Sequence, residues 1–198
     1  MTGWTDDLCL SIWAAVYGTG RLSFPPGAQV LEVGCAEADW LGPMRIARPD
    51  LHLIGIDWRE ADRPAADLII RGDVLAYDFL PASFDAVIAC STVEHIGLGH
   101  YDQDPLDVDG DTRCMERVAR WLKPRGWAYL DVPFREAGFL LHGDEYRAYD
   151  NQTLASRLIV PGLRQAGRWF WPDLTLEPDR QIAPWVNVAL YLVKEGAS

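Results

Sequence analysis

The chain has 198 residues, 49% apolar and 24% charged, with a net charge of −11 and a sequence pI near 4.7. A length of this order predicts one domain, burying about 70% of its unfolded surface without staples. The acidic balance opposes phosphate neutralisation, which argues against nucleic acid and anionic membranes as partners.

Arg113, Arg117, Arg120, Lys123 and Arg125 cluster locally, and the plain expectation for them is a solvated helix face. Cys9, Cys35, Cys90 and Cys114 have neither metal-knuckle nor redox spacing. The opening "MTGWTDDLCL" lacks a basic segment followed by an apolar one, and no apolar run reaches membrane-spanning length. A soluble, cytoplasmic protein is expected. Nine Trp point to large aromatic surfaces in a core, pocket or interface.

In chain order, residues 5–17 carry Leu8, Ile12, Trp13 and Val16 at helical spacing behind Thr5-Asp6-Asp7. After the turn-rich "GTGRLSFPPG", "AQVLEVG" reads as a buried strand and "ADWLGPMRIARP" as a helix interrupted near its start by Gly42-Pro43. "LHLIGID", "ADLIIRGD" and "FDAVIAC" are the second, third and fourth strands. "DTRCMERVARWL" places Met115, Val118, Ala119 and Leu122 on one helix face, "KPRG" ends it, and "WAYLDVP" is the fifth strand. "NQTLASRLI" is a short helix capped by Asp150 or Asn151, and "GRWFW" and "WVNVALYLV" are two last strands that suit a hairpin.

Continuous apolar strands alternating with helices predict an α/β fold, a doubly wound Rossmann-like sheet of about seven strands with helices on both faces. Two closing strands without a helix between them predict one antiparallel strand near the C-terminus. The expected organisation is an N-terminal helical extension (1–24), a cofactor-binding core (25–133), and an acceptor-side loop with C-terminal strands (134–198).

In such sheets ligands sit beyond the C-terminal strand ends, where the strand order reverses. Gly34, Asp57, Asp73 and Ser91 all fall at or just after predicted strand ends. Asp57 suits a ribose diol, because a carboxylate accepts from both hydroxyls. A dinucleotide frame from Gly34 gives Ala36 and then Asp39 where glycines are needed, and both oppose a pyrophosphate. A cofactor without phosphate escapes the objection, and Glu32 would attract its ammonium.

These segments resemble the class I S-adenosylmethionine-dependent methyltransferases over residues 28–133, in order and spacing. "VLEVGCAEAD" resembles the first motif, "LIGIDW" the second, "RGDVL" the adenine segment, and "SFDAVIACSTVEHIG" the fourth strand with its loop. "ERVARWLKPRGWAYLDVP" resembles the helix–turn–strand in which the family usually has Pro-Gly-Gly. The resemblance implies S-adenosyl-L-methionine as cofactor, held by Glu32, Gly34, Cys35, Ala36, Asp57, Trp58, Asp73, Val74 and Ser91. Ala36 and Ala38 depart from it, standing where the family has glycines, so the loop must avoid positive φ there or accept strain. "STVEHIGLGHYDQDP" and "YRAYD" are similar to a narrower bacterial group, some of whose members are linked to sugar or polysaccharide modification.

Methyl transfer chiefly needs orientation, and an oxygen acceptor also needs a base. His95, with Glu94 beside it, follows the fourth strand, and an imidazole's ordinary pKa suits the task. The alternative is that both hold the loop by hydrogen bonds. His100 and Tyr101 (with Asp102) and Tyr146 and Arg147 are the acceptor-binding candidates, with scaffolding as the competing role. His142, Asp144 and Glu145 lack partner spacing, so no metal is expected. Trp4, Trp13 and Tyr17 suit core packing or a cap over the cofactor. Trp169, Trp171 and Trp185 sit near the closing strands, where a homodimer contact would fit.

The leading expectation is a methyltransferase acting on a small molecule or carbohydrate at oxygen. A non-catalytic ligand- or protein-binding domain of the same fold is the alternative, and a nicotinamide-dependent oxidoreductase the weaker one.

Overall fold

A computed structural model describes residues 23–36, 40–99, 106–172 and 186–196. The expected N-terminal helix with Trp4, Trp13 and Tyr17 lies outside them, as do Cys9, Ala38, Asp39, His100, Tyr101, Asp102 and Trp185.

Seven strands form one sheet: β1 (Gln29–Val33), β2 (His52–Asp57), β3 (Leu68–Arg71), β4 (Phe84–Cys90), β5 (Leu122–Phe134), β8 (Leu163–Pro172) and β9 (Val186–Lys194). Their order is β3-β2-β1-β4-β5-β9-β8. The first five pair in parallel, while β9 runs antiparallel to both β5 and β8. This is the expected architecture with its single antiparallel strand. The order reverses between β1 and β4, so the crevice opens above that pair.

Alternation along the central strands divides the core between the two faces of the sheet. Leu31, Val33, Val87, Ala89, Leu130 and Val132 pack against Met115, Val118 and Trp121 of α2 (Gly110–Trp121). Val30, Ala86, Ile88 and Tyr129 pack against Leu41 and Met44 of α1 (Leu41–Ala47). Pro43 falls in the first turn of α1, where a missing N–H leaves no helix bond unmade, so the Gly42-Pro43 interruption is absorbed at the helix start.

Two local features go beyond the sequence reading. The "KPRG" turn lies inside β5 as an irregularity, with the register jumping from Phe84↔Leu122 to Ala86↔Trp127. Arg125 takes φ +67 there. Residues 140–148, expected to be loop, contain a small hairpin of β6 (Leu140–His142) and β7 (Tyr146–Ala148). Beyond it, Asp150 caps the short α3 (Asn151–Thr153) through a reciprocal capping box with Thr153, and a π turn (Leu154–Leu158) follows.

The basic cluster is spent locally. Arg113 pairs with Asp107, Arg120 with Asp78 at 3.0 Å and Lys123 with Asp85 at 2.7 Å, as a solvated face would be. No helix among the described residues is long and apolar enough to cross a membrane.

Candidate functional site

The parallel strands deliver Gly34, Asp57, Asp73 and Ser91 at or just beyond the C-terminal ends of β1, β2, β3 and β4. Gly34 adopts φ +83, and a Cβ on it would lie 2.1 Å from Thr92 Oγ1. The backbone therefore requires glycine twice over, for its conformation and for the close approach of the segment after β4. Ala36 is not among the residues with positive φ, so this departure from the family pattern carries no left-handed strain.

The loop after β1 is braced from the β2 side. Ala36 N–H donates to Asp57 Oδ2 at 2.9 Å. Arg63 Nε donates to the Cys35 carbonyl and Arg63 Nη2 to the Ala36 carbonyl, each at 2.8 Å. Arg63 was not legible as a site residue, because the "WREADRPAAD" connection has no periodicity to mark which arginine turns inward.

Asp57 is almost fully buried and receives more than the loop amide. Its Oδ1 accepts from Arg59 N at 2.8 Å and Arg59 Nε at 3.1 Å, and its Oδ2 accepts from Arg59 Nη2 at 3.3 Å. Trp58 between them is half-buried. At β3, Asp73 Oδ1 accepts from Leu75 N at 2.7 Å. Val74 is mostly buried and packs with the α2-side core.

Cys35 does not offer its side chain to the crevice. The thiol is fully buried, and a Cβ on Gly55 would come within 2.7 Å of its sulfur. Burial, then the Glu32 and Asp57 carboxylates, push it up to about 12, so it is an inert thiol whose backbone alone belongs to the loop. Glu32 is also buried and accepts from the Trp40 amide at 3.4 Å, linking β1 to the residue preceding α1.

Ser91 stands at φ +42, an unusual conformation for a residue with a side chain. It is held by Asp131 of β5, whose Oδ1 accepts from both Ser91 N and Ser91 Oγ at 2.9 Å. Cys90 Sγ at 3.1 Å and Tyr129 OH at 3.4 Å approach the other oxygen. Burial raises the Asp131 carboxyl, against those hydrogen bonds. An acid inside the apolar "YLDVP" was the available signal for this residue.

His95 ends a 3₁₀ turn (Val93–His95). Its Nδ1 contacts the Glu145 carbonyl at 2.5 Å. A carbonyl only accepts, so Nδ1 carries a proton, and in a neutral ring the lone pair would then lie on Nε2. Tyr146 meets His95 edge-on at 6.4 Å and stacks on His142 at 4.9 Å. Tyr146 thus shares an aromatic edge with the imidazole.

Two expected site residues take other roles. Glu94 is 2% exposed. Its Oε1 lies 3.8 Å from His95 Nε2, and its buried Oε2 has no hydrogen bond among the described residues. Burial and the nearby Asp131 carboxylate raise its pKa well above the usual range. Arg147 is 1% exposed, and its guanidinium donates to the carbonyls of Glu94, Ile96, Asp107 and Val108. It fastens the loop after β4 to β7 and has no face left for an acceptor. Asp111, Tyr149 and Arg157 extend the same buried network.

Among the described residues no three His, Cys, Asp or Glu side chains converge as metal ligands.

Solved structures share the fold. The 1,6-didemethyltoxoflavin-N1-methyltransferase of Burkholderia thailandensis superposes with TM-score 0.66 at 16% identity, over 94% of this chain and 76% of that one. The fold is that of the Rossmann-like methyltransferases. Coclaurine N-methyltransferase matches at TM-score 0.70 and 8% identity, over 98% of this chain and 74% of that one. The [4+2]-cyclase SpnF matches at 0.68 and 18%, over 96% and 81%. At these identities the likeness is one of fold. Residues 73–159, less than half of the chain, match the family described as "Caenorhabditis protein of unknown function, DUF268". The whole Asp111–Arg147–Tyr149–Arg157 network lies inside that stretch. No curated protein matches the chain.

Proposed function

We propose that the chain transfers a methyl group from S-adenosyl-L-methionine to an oxygen of a small molecule or carbohydrate. The observation that carries the reading is the placement of Gly34, Asp57 and Asp73 at the ends of three neighbouring parallel strands, beside the reversal of strand order. The Burkholderia enzyme and coclaurine N-methyltransferase, whose folds this chain shares, hold S-adenosylhomocysteine in their structures.

The residues present fit that cofactor in kind. Asp57 is a buried acceptor suited to the ribose hydroxyls, and Asp73, Trp58 and Val74 would line the adenine. The backbone of the loop at Gly34 to Ala36 would face the methionine end. When bound, the cofactor supplies a methyl group activated by its sulfonium. The protein's part is orientation and proton transfer. His95 Nε2 accepts the acceptor's hydroxyl proton, the Glu145 carbonyl fixes the tautomer that permits this, and Tyr146 flanks the ring. Asp131 holds Ser91, and through it the segment leading to His95.

A second reading, a ligand- or protein-binding domain without turnover, is favoured by one observation: the Asp57 carboxylate is already saturated from within the chain. SpnF, a [4+2]-cyclase by name, shares the fold, so fold alone does not choose the reaction.

Calorimetric titration with S-adenosylmethionine, S-adenosylhomocysteine and NAD decides the donor. Micromolar binding of the two sulfur compounds and none of NAD is expected. A folded sample that binds neither sulfur compound would overturn the methyltransferase reading. An acceptor screen starting from sugars follows, read as S-adenosylhomocysteine formed.

A further inference from the structure

Among the described residues, three other than glycine have a positive φ: Ala82, Ser91 and Arg125. Ala82 precedes β4 and Arg125 lies early in β5, so Ser91, at φ +42, is the one of them at the crevice. A side chain makes this region unfavourable, because Cβ crowds the backbone. The acid that faces Ser91 is Asp131 of β5, itself 1% exposed. Its Oδ1 accepts from Ser91 N and from Ser91 Oγ, and its carbonyl accepts from the same Ser91 N at 3.2 Å. Its Oδ2 meets the Cys90 thiol and the Tyr129 hydroxyl. A carboxylate buried in an apolar strand is unfavourable unless its lone pairs are met. Here all the donors but the Tyr129 hydroxyl belong to Cys90 and Ser91, at the end of β4.

The left-handed residue sets the direction of the chain that follows it. Thr92 lies against Gly34, and its hydroxyl donates to the Cys90 carbonyl at 2.9 Å. The Thr92 carbonyl accepts from His95 N at 3.0 Å, and His95 Nδ1 reaches the Glu145 carbonyl. We propose that Asp131 is a positioning residue that acts through backbone conformation: it keeps Ser91 left-handed, and by that means holds the Gly34 edge of the crevice and the His95 imidazole in place. As a role in methyl transfer this rests on the reading above, and it deepens that reading by naming the group that shapes the site from beneath. A serine released from the acid prefers the ordinary backbone regions by about ten-fold. The competent arrangement would then be populated about one-tenth of the time, and affinity would fall by the same factor. A glycine in that position adopts either hand and has no need of the clamp.

The test compares Ser91→Ala with Ser91→Gly, and Asp131→Ala with Asp131→Asn and with the double variant Asp131→Ala/Ser91→Gly. Each is titrated with S-adenosylhomocysteine by calorimetry, and the His95 Nδ1 proton is followed by NMR without ligand. Ser91→Ala and Ser91→Gly both lose the hydroxyl and keep the amide, so they differ in the Cβ that resists the left-handed region. The alanine variant should bind on the order of ten-fold more weakly than the glycine variant and show the larger displacement of the His95 signal. This pair leaves the buried acid in place, so it stands even where Asp131→Ala does not fold. Asp131→Ala should weaken binding on the order of ten-fold, and Asp131→Asn should lose least, because its one carbonyl oxygen can accept both Ser91 donors. The double variant should recover most of the loss. Equal affinity and equal spectra for Ser91→Ala and Ser91→Gly would overturn the positioning role and leave the cofactor reading standing. So would a loss in folded Asp131→Ala that Ser91→Gly does not restore. An acid that only stabilises the fold would shift the unfolding midpoint and leave the affinity and the imidazole signal of the folded variants unchanged. Absence of binding by wild type would overturn the cofactor reading instead. The His95 signal would still decide the clamp: displaced in Ser91→Ala and closer to wild type in Ser91→Gly supports it, and alike in both overturns it.

Discussion

The missing Cβ of Gly34 is what lets Thr92 close over the end of β1: a carbon there would lie 2.1 Å from Thr92 Oγ1, 2.5 Å from its Cγ2 and 2.8 Å from its Cβ. The two strands that flank the reversal of order are therefore in contact at their tips. Gly34→Ala should lose stability twice, about 1–2 kcal/mol for the left-handed backbone and about 1–3 kcal/mol for the overlap. The double variant with Thr92→Ala separates the two. Chemical denaturation should show most of the overlap part recovered, the 2.8 Å approach to the Cβ of residue 92 remaining, and the backbone part retained. A full recovery would mean that φ +83 is not a constraint on this loop.

Arg147 gives the largest expected loss outside the sheet. Its guanidinium serves carbonyls on both sides of the loop after β4, and its Nε lies 3.7 Å from the buried Asp111. Arg147→Met keeps the aliphatic stem but removes the guanidinium, so the buried Glu94 and Ile96 carbonyls lose this donor while Gly110 N–H and Arg157 still serve Asp107 and Val108, a loss of about 3 kcal/mol. Equilibrium unfolding in urea measures it. A change under about 1 kcal/mol would show that water replaces the guanidinium freely, and would reopen Arg147 to an acceptor role.

The sheet was legible because its central strands are buried on both sides, and a run such as "VLEV" or "AVIA" has few other ways to satisfy its burial. The positions of Gly34, Asp57, Asp73 and Ser91 at strand ends followed from the same pattern. The occupancy of those positions did not. Arg59, Arg63 and Arg147 look alike in sequence, each an arginine in a polar connection. One covers a carboxylate, one fastens loop carbonyls, and one is buried among carbonyls of a distant segment. These roles depend on separations of 28 and 51 residues that no local period encodes. Asp131 was hidden differently, inside an apolar strand whose partner is the strained Ser91 across the ladder.

Glu94 makes stability depend on pH with a defined sign. Burial, together with Asp131, raises the folded carboxyl well above its ordinary 4.5, while Arg147 and a backbone hydrogen bond oppose the shift. The folded chain then binds this proton more tightly than the unfolded chain. That contribution is complete below about pH 4.5 and is lost as pH rises through the folded value, by about 1.4 kcal/mol per pH unit within the window. Glu94→Gln carries a neutral isostere and removes the dependence. Wild type and variant should unfold alike at acid pH, and the variant should become relatively more stable toward neutrality. Parallel pH profiles would mean that Glu94 is ionised in the folded state.

His95 and Asp57 should separate binding from turnover. Asp57→Ala removes the acceptor for the ribose and the bond that orders Ala36, so cofactor affinity should fall by at least about ten-fold, as measured by calorimetry. His95→Ala leaves that end of the crevice untouched and should bind S-adenosylhomocysteine as wild type does. With an oxygen acceptor found by the screen, its turnover should fall about 10²–10⁴-fold, the usual range for a general base. His95→Asn should behave like the alanine variant in rate while retaining a donor to the Glu145 carbonyl, which separates proton transfer from holding the loop. Full activity in His95→Asn, with loss only in His95→Ala, would assign the imidazole to the scaffold and leave the acceptor's proton to another group.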